Sequence, residues 1–241
     1  LRDEPLLGHV AEEAAQAALE CGKKNALLIS RMARELIACF EQGGKLLIFG
    51  NGGSAADAQH LAAELTVKLH ANRPGLAALA LTTNSSVLTA AGNDLGFENI
   101  FARQVESLVS PGDVLVALST SGTSPNVIRA LDAGAARGAF RVALTGDTGG
   151  ELGGRAELLL NVPSGNAQHI QEAHITIGHI ACAVIEPMRA GCAANLLTIA
   201  GVLLLLAGGI AVYPSLRQSI EPTPASFGEA APPLRLERLR R

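Results

Sequence analysis

The chain has 241 residues, a formal net charge of −3 and 48% hydrophobic residues. This length is sufficient for one large domain, and the apolar fraction excludes an intrinsically disordered chain. The negative charge and the 3% aromatic content disfavour a nucleic-acid partner, because such proteins are usually basic and single-strand binders stack bases on aromatic rings. We therefore expect a globular protein that does not bind nucleic acid.

Short apolar runs alternate with helical patterns along most of the chain. Nearly continuous apolar runs predict buried parallel strands, and they occupy residues 45–50, 76–81, 114–118, 140–145 and 157–162. Segments with the length and composition of helices occupy residues 9–42, 54–69, 98–109, 125–137 and 166–190. This alternation predicts an α/β fold, a doubly wound αβα sandwich with a five-stranded, mostly parallel sheet and flanking N- and C-terminal helices.

The composition divides the chain into three parts. Residues 1–192 carry the alternating pattern and form the predicted α/β domain. The next part, 193–213, contains an uncharged stretch at 194–213 that is long enough for a membrane helix, with a buried or intersubunit helix as the alternative. Residues 214–241 are rich in proline and arginine, which predicts a disordered tail.

The cysteines give a prediction about the cellular compartment. None belongs to a CxxC pair, and all lie in apolar, helix-like stretches: Cys21, Cys39, Cys182 and Cys192. This distribution favours free thiols in a reducing compartment over a disulfide framework. We expect a cytoplasmic protein, with contact to the inner membrane only if the uncharged stretch serves as an anchor.

The loop after the third predicted strand has the features of a phosphate site. Ligands of such sheets bind at the carboxyl ends of the strands, and this loop contains serine and threonine hydroxyls from Ser119 to Ser124. Ser124 as N-cap and Pro125 as first helical residue predict a helix start, whose N–H groups favour an anion. The absence of a GxxxxGK[ST] pattern favours a sugar monophosphate over a nucleoside triphosphate. An ordinary turn that caps a helix is the alternative.

The loop after the first predicted strand is rich in glycine. Gly52 and Gly53 follow Asn51, and glycines let the backbone approach a ligand closely. The pattern is not GxGxxG, which makes a dinucleotide the minor alternative. A polar stretch at 93–97 predicts a further loop.

Candidate acid–base residues lie on two of the predicted helices. His60 and Glu64 are four residues apart, so both lie on one face of their helix, where they suit catalysis or metal binding. Gln171, His174 and His179 lie on the last predicted helix. The alternatives are a solvated surface pair for the first two residues and hydrogen-bonded core imidazoles for the histidines, and we expect His174 to be a core residue.

Four segments carry a family resemblance: GNGGSAADAQHLAAEL, NDLGFENIFARQVE, LSTSGTSPNV and IQEAHITIGHI. In this order and spacing they resemble the phosphoheptose isomerases of the sugar-isomerase (SIS) domain superfamily, over roughly residues 8–190. The resemblance implies a cytoplasmic homotetramer that converts D-sedoheptulose 7-phosphate to D-glycero-D-manno-heptose 7-phosphate through an enediol. This reaction is the first step toward nucleotide-activated heptose for lipopolysaccharide or other surface glycans.

The resemblance also implies roles for individual residues. Glu64 and His179 fall on the catalytic positions. One Zn²⁺ per subunit would be bound by His60, Glu64, Gln171 and His179. The substrate would contact Asn51, Gly52, Gly53, Glu64, Asn93, Asp94, Ser119, Thr120, Ser121, Ser124 and Gln171. The chain departs from the family at His169, where an arginine is common, and at Gln168, where some members have aspartate.

Two binding modules are the alternatives to an enzyme. One is a paralogue that regulates replication initiation, and the other is an SIS domain that senses a sugar phosphate within a transcription factor. The paralogue lacks the glutamate and the late histidine, whereas this chain has Glu64 and His179. No helix-turn-helix domain accompanies the SIS pattern, so the sequence favours the isomerase.

Overall fold

A computed structural model of the protein describes residues 4–189. The uncharged stretch at 194–213 and the tail at 214–241 lie outside the described residues. Among the described helices, none is long and apolar enough to cross a membrane.

The core of the fold is a sheet in which all five strands are parallel. The strands are β1 (Leu46–Gly50), β2 (Ala78–Ala80), β3 (Val114–Ser119), β4 (Phe140–Thr145) and β5 (Leu158–Asn161). Their order is β2-β1-β3-β4-β5. Every residue of β1 and β3 is buried, as expected for central strands with helices on both faces. The structure confirms the predicted doubly wound α/β fold.

Helices cover both faces of the sheet. They are α1 (Glu4–Glu41), α2 (Gly53–Thr66), α3 (Ser85–Leu95), α4 (Ala102–Leu108), α5 (Pro125–Ala136) and α6 (Ala167–Arg189). Side chains alternate along each strand, so Leu46 and Ile48 pack with α1, α2 and α6 on one face. Leu47 and Phe49 pack with α3, α4 and α5 on the other face.

The region before α4 differs from the sequence prediction. The polar stretch at 93–97 was predicted as a loop, but Asn93 and Asp94 lie in the last turn of α3. The Asn84 side chain accepts a hydrogen bond from the N–H of Val87 and caps this helix, and Gly96 ends it with a φ of 88°. The helix predicted at 98–109 is correspondingly shorter, because a 3₁₀ turn at 97–99 precedes it.

Candidate active site

The loops after β1 and β3 meet where the strand order reverses. From β1 the chain passes to β2 on one side, and then returns to place β3 on the other side of β1. Ligands of doubly wound folds bind outside the carboxyl ends of the strands at such a reversal. The fold therefore brings the glycine-rich loop and the hydroxyl-rich loop together at the carboxyl ends of the strands.

A pair of asparagines joins these two loops. Asn51 Nδ2 donates to Asn126 Oδ1 at 2.9 Å, and Asn126 Nδ2 donates to Asn51 Oδ1 at 2.8 Å. Asn126 is buried in the first turn of α5. Asn126 was not predicted to be a site residue, although a polar residue directly after a Ser-Pro helix start was an available signal.

The loop between β3 and α5 (hereafter the hydroxyl loop, residues 119–124) holds its own hydroxyl groups together. Ser119 Oγ lies 3.1 Å from Ser124 Oγ and accepts a hydrogen bond from the N–H of Gly122 at 3.2 Å. Ser121 Oγ accepts bonds from the N–H and hydroxyl groups of Thr123 at 3.2 and 3.1 Å. The loop thus presents several hydrogen-bonding groups at the start of a helix, the arrangement that binds phosphate.

The helix α5 begins at the predicted residue, but its N-cap side chain does not form the usual capping hydrogen bond. Pro125 is the first helical residue and Ser124 occupies the N-cap position, yet the Ser124 side chain makes no capping hydrogen bond. Its hydroxyl pairs with Ser119 instead. No side chain caps this helix start, and its dipole favours an anion. The Thr120 carbonyl anchors the loop by accepting a bond from the N–H of Gly146 at 3.0 Å.

Two histidines and a glutamate form a cluster between α2 and α6 (hereafter the His–Glu cluster: His60, Glu64 and His179). His60 Nε2 lies 3.0 Å from His179 Nε2 and 3.4 Å from Glu64 Oε1. One potential ligand atom from each residue lies within 4.8 Å of the other two. Glu64 Oε2 is buried, with no hydrogen-bond partner among the described residues. The three side chains converge in a way that can hold a metal ion or move a proton.

Gln171 lies apart from the His–Glu cluster. Its amide group lies against Gly53 at the start of α2, where a methyl group added to the glycine would come 2.5 Å from Gln171 Oε1. Gln171 precedes His179 by two helical turns, about 12 Å along the axis of α6. The structure therefore places Gln171 beside the glycine-rich loop and not beside His60.

The predicted substrate residues Asn93 and Asp94 form a third group. Asn93 Nδ2 donates to Asp94 Oδ1 at 2.7 Å, and both residues are exposed in the last turn of α3. Among the described residues, neither makes a hydrogen bond to the hydroxyl loop or to the His–Glu cluster.

The other candidate histidine belongs to the core, as expected from the sequence. His174 is fully buried, and its Nε2 lies 3.3 Å from the carbonyl oxygen of Thr145. Burial lowers its pKa to about 4, and the bond to Thr145 opposes this shift. His174 is therefore a neutral structural residue. At one of the positions where the chain departs from its family, His169 is also buried.

The fold and the site together define a class of protein. A doubly wound sheet with a hydroxyl-lined helix start and an imidazole–carboxylate cluster is suited to sugar phosphates. The family model of the SIS domain matches residues 11–146, which is more than half of the chain. The chain is thus an SIS-domain protein.

Similar proteins narrow this class to one family. A phosphoheptose isomerase from Burkholderia pseudomallei is 48% identical over 170 residues, which cover 70% of this chain and 86% of that protein. A phosphoheptose isomerase structure from Neisseria gonorrhoeae matches with a TM-score of 0.72 and 43% identity, covering 78% of this chain and 100% of that one. A phosphoheptose isomerase structure from Francisella tularensis matches with a TM-score of 0.73 and 36% identity, covering 76% of this chain and 97% of that one. The chain belongs to the phosphoheptose isomerase family.

Proposed function

We propose that this protein converts D-sedoheptulose 7-phosphate to D-glycero-D-manno-heptose 7-phosphate, for lipopolysaccharide or other surface glycans. The His–Glu cluster carries the proposal, because it provides a carboxylate and imidazoles in one place in a member of the phosphoheptose isomerase family. Moving a carbonyl between C1 and C2 requires a base that removes a carbon-bound proton and an acid that serves the oxygens through an enediol. A carboxylate and an imidazole can divide these tasks.

Glu64 is the proposed base. Its two oxygens have different surroundings, since Oε1 faces His60 and Oε2 is buried without a partner among the described residues. His179, whose Nε2 lies in the same cluster, is the proposed acid that donates to the sugar oxygen when no metal occupies this nitrogen. With a metal bound there, the metal would serve the sugar oxygen instead.

The hydroxyl loop is the proposed phosphate site. Hydroxyl groups are offered by Ser119, Thr120, Ser121 and Ser124, and the start of α5, which no side chain caps, offers a favourable dipole. Asn51, Gly52 and Gly53 on the adjacent loop are proposed to contact the sugar, together with Gln171. Asn93 and Asp94 remain proposed contacts of the substrate chain.

We propose Zn²⁺ as the metal of the His–Glu cluster. Ligand atoms of a tetrahedral zinc site are separated by roughly 3.3 Å, given bonds of about 2.0–2.1 Å to histidine nitrogen. The observed separations of 3.0 and 3.4 Å fit this spacing. A bound Zn²⁺ would polarise the sugar carbonyl. Gln171, the fourth ligand implied by the resemblance, lies outside the cluster in this conformation.

A homotetramer is the proposed assembly, in the cytoplasm. Three large apolar side chains on α1 are 49%, 53% and 83% exposed, namely Val10, Leu19 and Leu27, and a second chain would cover them. The buried free thiols of Cys21, Cys39 and Cys182 are in keeping with a reducing compartment. Light scattering is expected to give four times the 24.8-kDa mass of one chain.

The proposed assembly also determines which chains contribute residues to one active site. His60 follows Gly53 by seven residues, so it lies about 10 Å along α2 from the glycine-rich loop of its own chain. We propose that each complete site combines the cluster of one chain with the hydroxyl loop of another. Tetramers that mix Glu64→Gln and Ser124→Ala chains should then regain activity that both parent tetramers lack. Mixed tetramers without activity would place the whole site in one chain.

The activity is tested with purified protein and sedoheptulose 7-phosphate, with the aldose product followed by NMR. We expect turnover in the wild type, and at least about 100-fold less in Glu64→Gln and in His179→Ala, the usual scale for loss of a general base or acid. Glu106→Gln is the matched control, because Glu106 is an exposed carboxylate on α4 that pairs only with Arg103 among the described residues.

Two results would contradict the proposal. A folded wild-type protein that forms no aldose, with or without added Zn²⁺, would exclude the isomerase and favour a sugar-phosphate-binding module. Near-normal turnover in Glu64→Gln would exclude Glu64 as the base.

A further inference from the structure

A buried ion pair joins the segment after α2 to α6. Arg73 Nε lies 3.8 Å from Glu186 Oε1, and the two side chains are only 1% and 5% exposed. Burying two charges is costly, and such pairs contribute little net stability compared with apolar residues. A role in fixing one particular arrangement of the helices would explain why the pair is present.

Arg73 caps the helix that carries Glu64. Its Nη2 donates to the carbonyl oxygen of Glu64 at 2.9 Å, and its Nη1 donates to that of Leu65 at 2.7 Å. The last carbonyls of a helix have no partner within the helix, and a cation at this end also suits the helix dipole. The guanidinium thus fixes the backbone of Glu64 directly.

Glu186 holds the chain that leads from α2 to Arg73. Its carboxylate accepts hydrogen bonds from the N–H groups of Leu69 at 2.9 Å and His70 at 2.9 and 3.0 Å. Burial acts to raise the pKa of Glu186, but the N–H groups of Ala71, His70 and Leu69, with the Arg73 charge, outweigh burial and lower the pKa. The carboxylate therefore remains ionised beside Arg73.

The pair lies in line with the His–Glu cluster. Glu186 follows His179 by seven residues, two turns later on the same face of α6. The two helices also pack closely at Gly178 of α6. The Leu61 side chain of α2 lies so near this glycine that it leaves no room for a Cβ atom. A link between Glu186 and the end of α2 consequently limits sliding of Glu64 relative to His179.

We propose that Arg73 and Glu186 are positioning residues that hold Glu64 opposite His179. The expected effect on turnover rests on the proposed isomerase function. The expected effect on metal binding rests on the candidate metal site. Displacement of a catalytic group by about 1 Å can reduce turnover about 100-fold. Loss of a residue that orients metal ligands commonly weakens metal binding about 10- to 100-fold.

The test compares Arg73→Met, Arg73→Lys and Glu186→Gln with the wild type. We expect kcat to fall at least about 10-fold in Arg73→Met and Glu186→Gln, with KM within about threefold, because neither residue contacts the hydroxyl loop. Zn²⁺ affinity, measured by competition with a chelator, should fall at least about 10-fold in the same variants. Arg73→Lys keeps the charge but loses the planar fork, so its kcat should lie between those of the wild type and Arg73→Met.

Lys45→Met is the matched control. Lys45 Nζ lies 2.6 Å from Asp113 Oδ2 in a second ion pair, which is partly buried. The two residues directly precede β1 and β3, so the pair lies at the amino ends of the strands, opposite the loops of the candidate site. This variant should lose thermal stability while retaining the wild-type kcat and Zn²⁺ affinity.

The outcomes separate the positioning role from a structural one and from the proposed function. Arg73→Met or Glu186→Gln with wild-type kcat and Zn²⁺ affinity would overturn the proposal, even if stability fell. If Arg73→Met does not fold, kcat and Zn²⁺ affinity measured in Arg73→Lys and Glu186→Gln test the proposal instead. A wild type without isomerase activity would refute the proposed function, and weakened Zn²⁺ binding in the variants would still support the positioning role.

Discussion

The buried His174 predicts a specific dependence of stability on pH. Its pKa is about 4 in the folded protein, against an ordinary value of 6.5, because burial disfavours the charged imidazole. The unfolded chain therefore binds a proton more readily than the folded chain at any pH between these values. The contribution of His174 to stability is present in full above pH 6.5 and is lost as the pH falls toward 4.

The size of this effect follows from the two pKa values. Each unit of difference corresponds to about 1.4 kcal/mol, so the complete loss is about 3 kcal/mol. By pH 5 the loss is already about 2 kcal/mol. This is a large fraction of the free energy of unfolding of a typical domain, which is about 5–15 kcal/mol.

The substitution His174→Gln removes this titration. The Gln amide can donate to the Thr145 carbonyl, as the imidazole Nε2 does now, but it does not ionise. The free energy of unfolding is measured in urea at pH 7, 6 and 5, at one protein concentration and with a chelator present. We expect the wild type to lose about 2 kcal/mol more than the variant between pH 7 and 5.

The comparison isolates His174, because the other titrating groups are the same in both proteins. Equal losses of stability in the wild type and His174→Gln would refute the reasoning. They would mean that burial of this imidazole does not lower its affinity for a proton.

Two further predictions concern the loops. Gly122→Ala should destabilise the fold by about 1–3 kcal/mol in thermal or urea unfolding, because Gly122 has a φ of +68° and a methyl group there would meet the backbone of Gly149; unchanged stability would contradict this. Gln171→Ala should raise KM while the bound Zn²⁺ measured by metal analysis stays at the wild-type level, because Gln171 lies against Gly53 and not in the His–Glu cluster. Loss of Zn²⁺ would instead identify Gln171 as a metal ligand.

The sequence by itself determined the features that depend on local patterns. Continuous apolar runs predicted five parallel strands, and the central strands β1 and β3 are buried throughout, because residues covered on both faces of a sheet must be apolar. The strands β2 and β5 are only partly buried. The sequence Ser124-Pro125 predicted the start of α5, since Pro fits the first helical position. The spacing of His60 and Glu64 placed both on one face of α2, because residues four apart are neighbours on a helix.

Local patterns were insufficient where several weak signals compete. The helix α3 was missed because its polar last turn, with Asn93 and Asp94, has the composition of a loop. Its start depends on the Asn84 side chain, which accepts a bond from Val87. Ser124 occupies the predicted N-cap position, but its side chain makes no capping hydrogen bond, because its hydroxyl pairs with that of Ser119 at the end of β3.

Only the tertiary structure decided which distant residues meet. His60 and His179 are 119 residues apart in the chain, and their nitrogens approach because α2 and α6 pack together on one face of the sheet. The same packing pairs Arg73 with Glu186, and it leaves Gln171 against Gly53, away from the cluster. Such contacts depend on the offset and rotation between two helices, which are set by side-chain packing along their whole length and not by spacing within either segment.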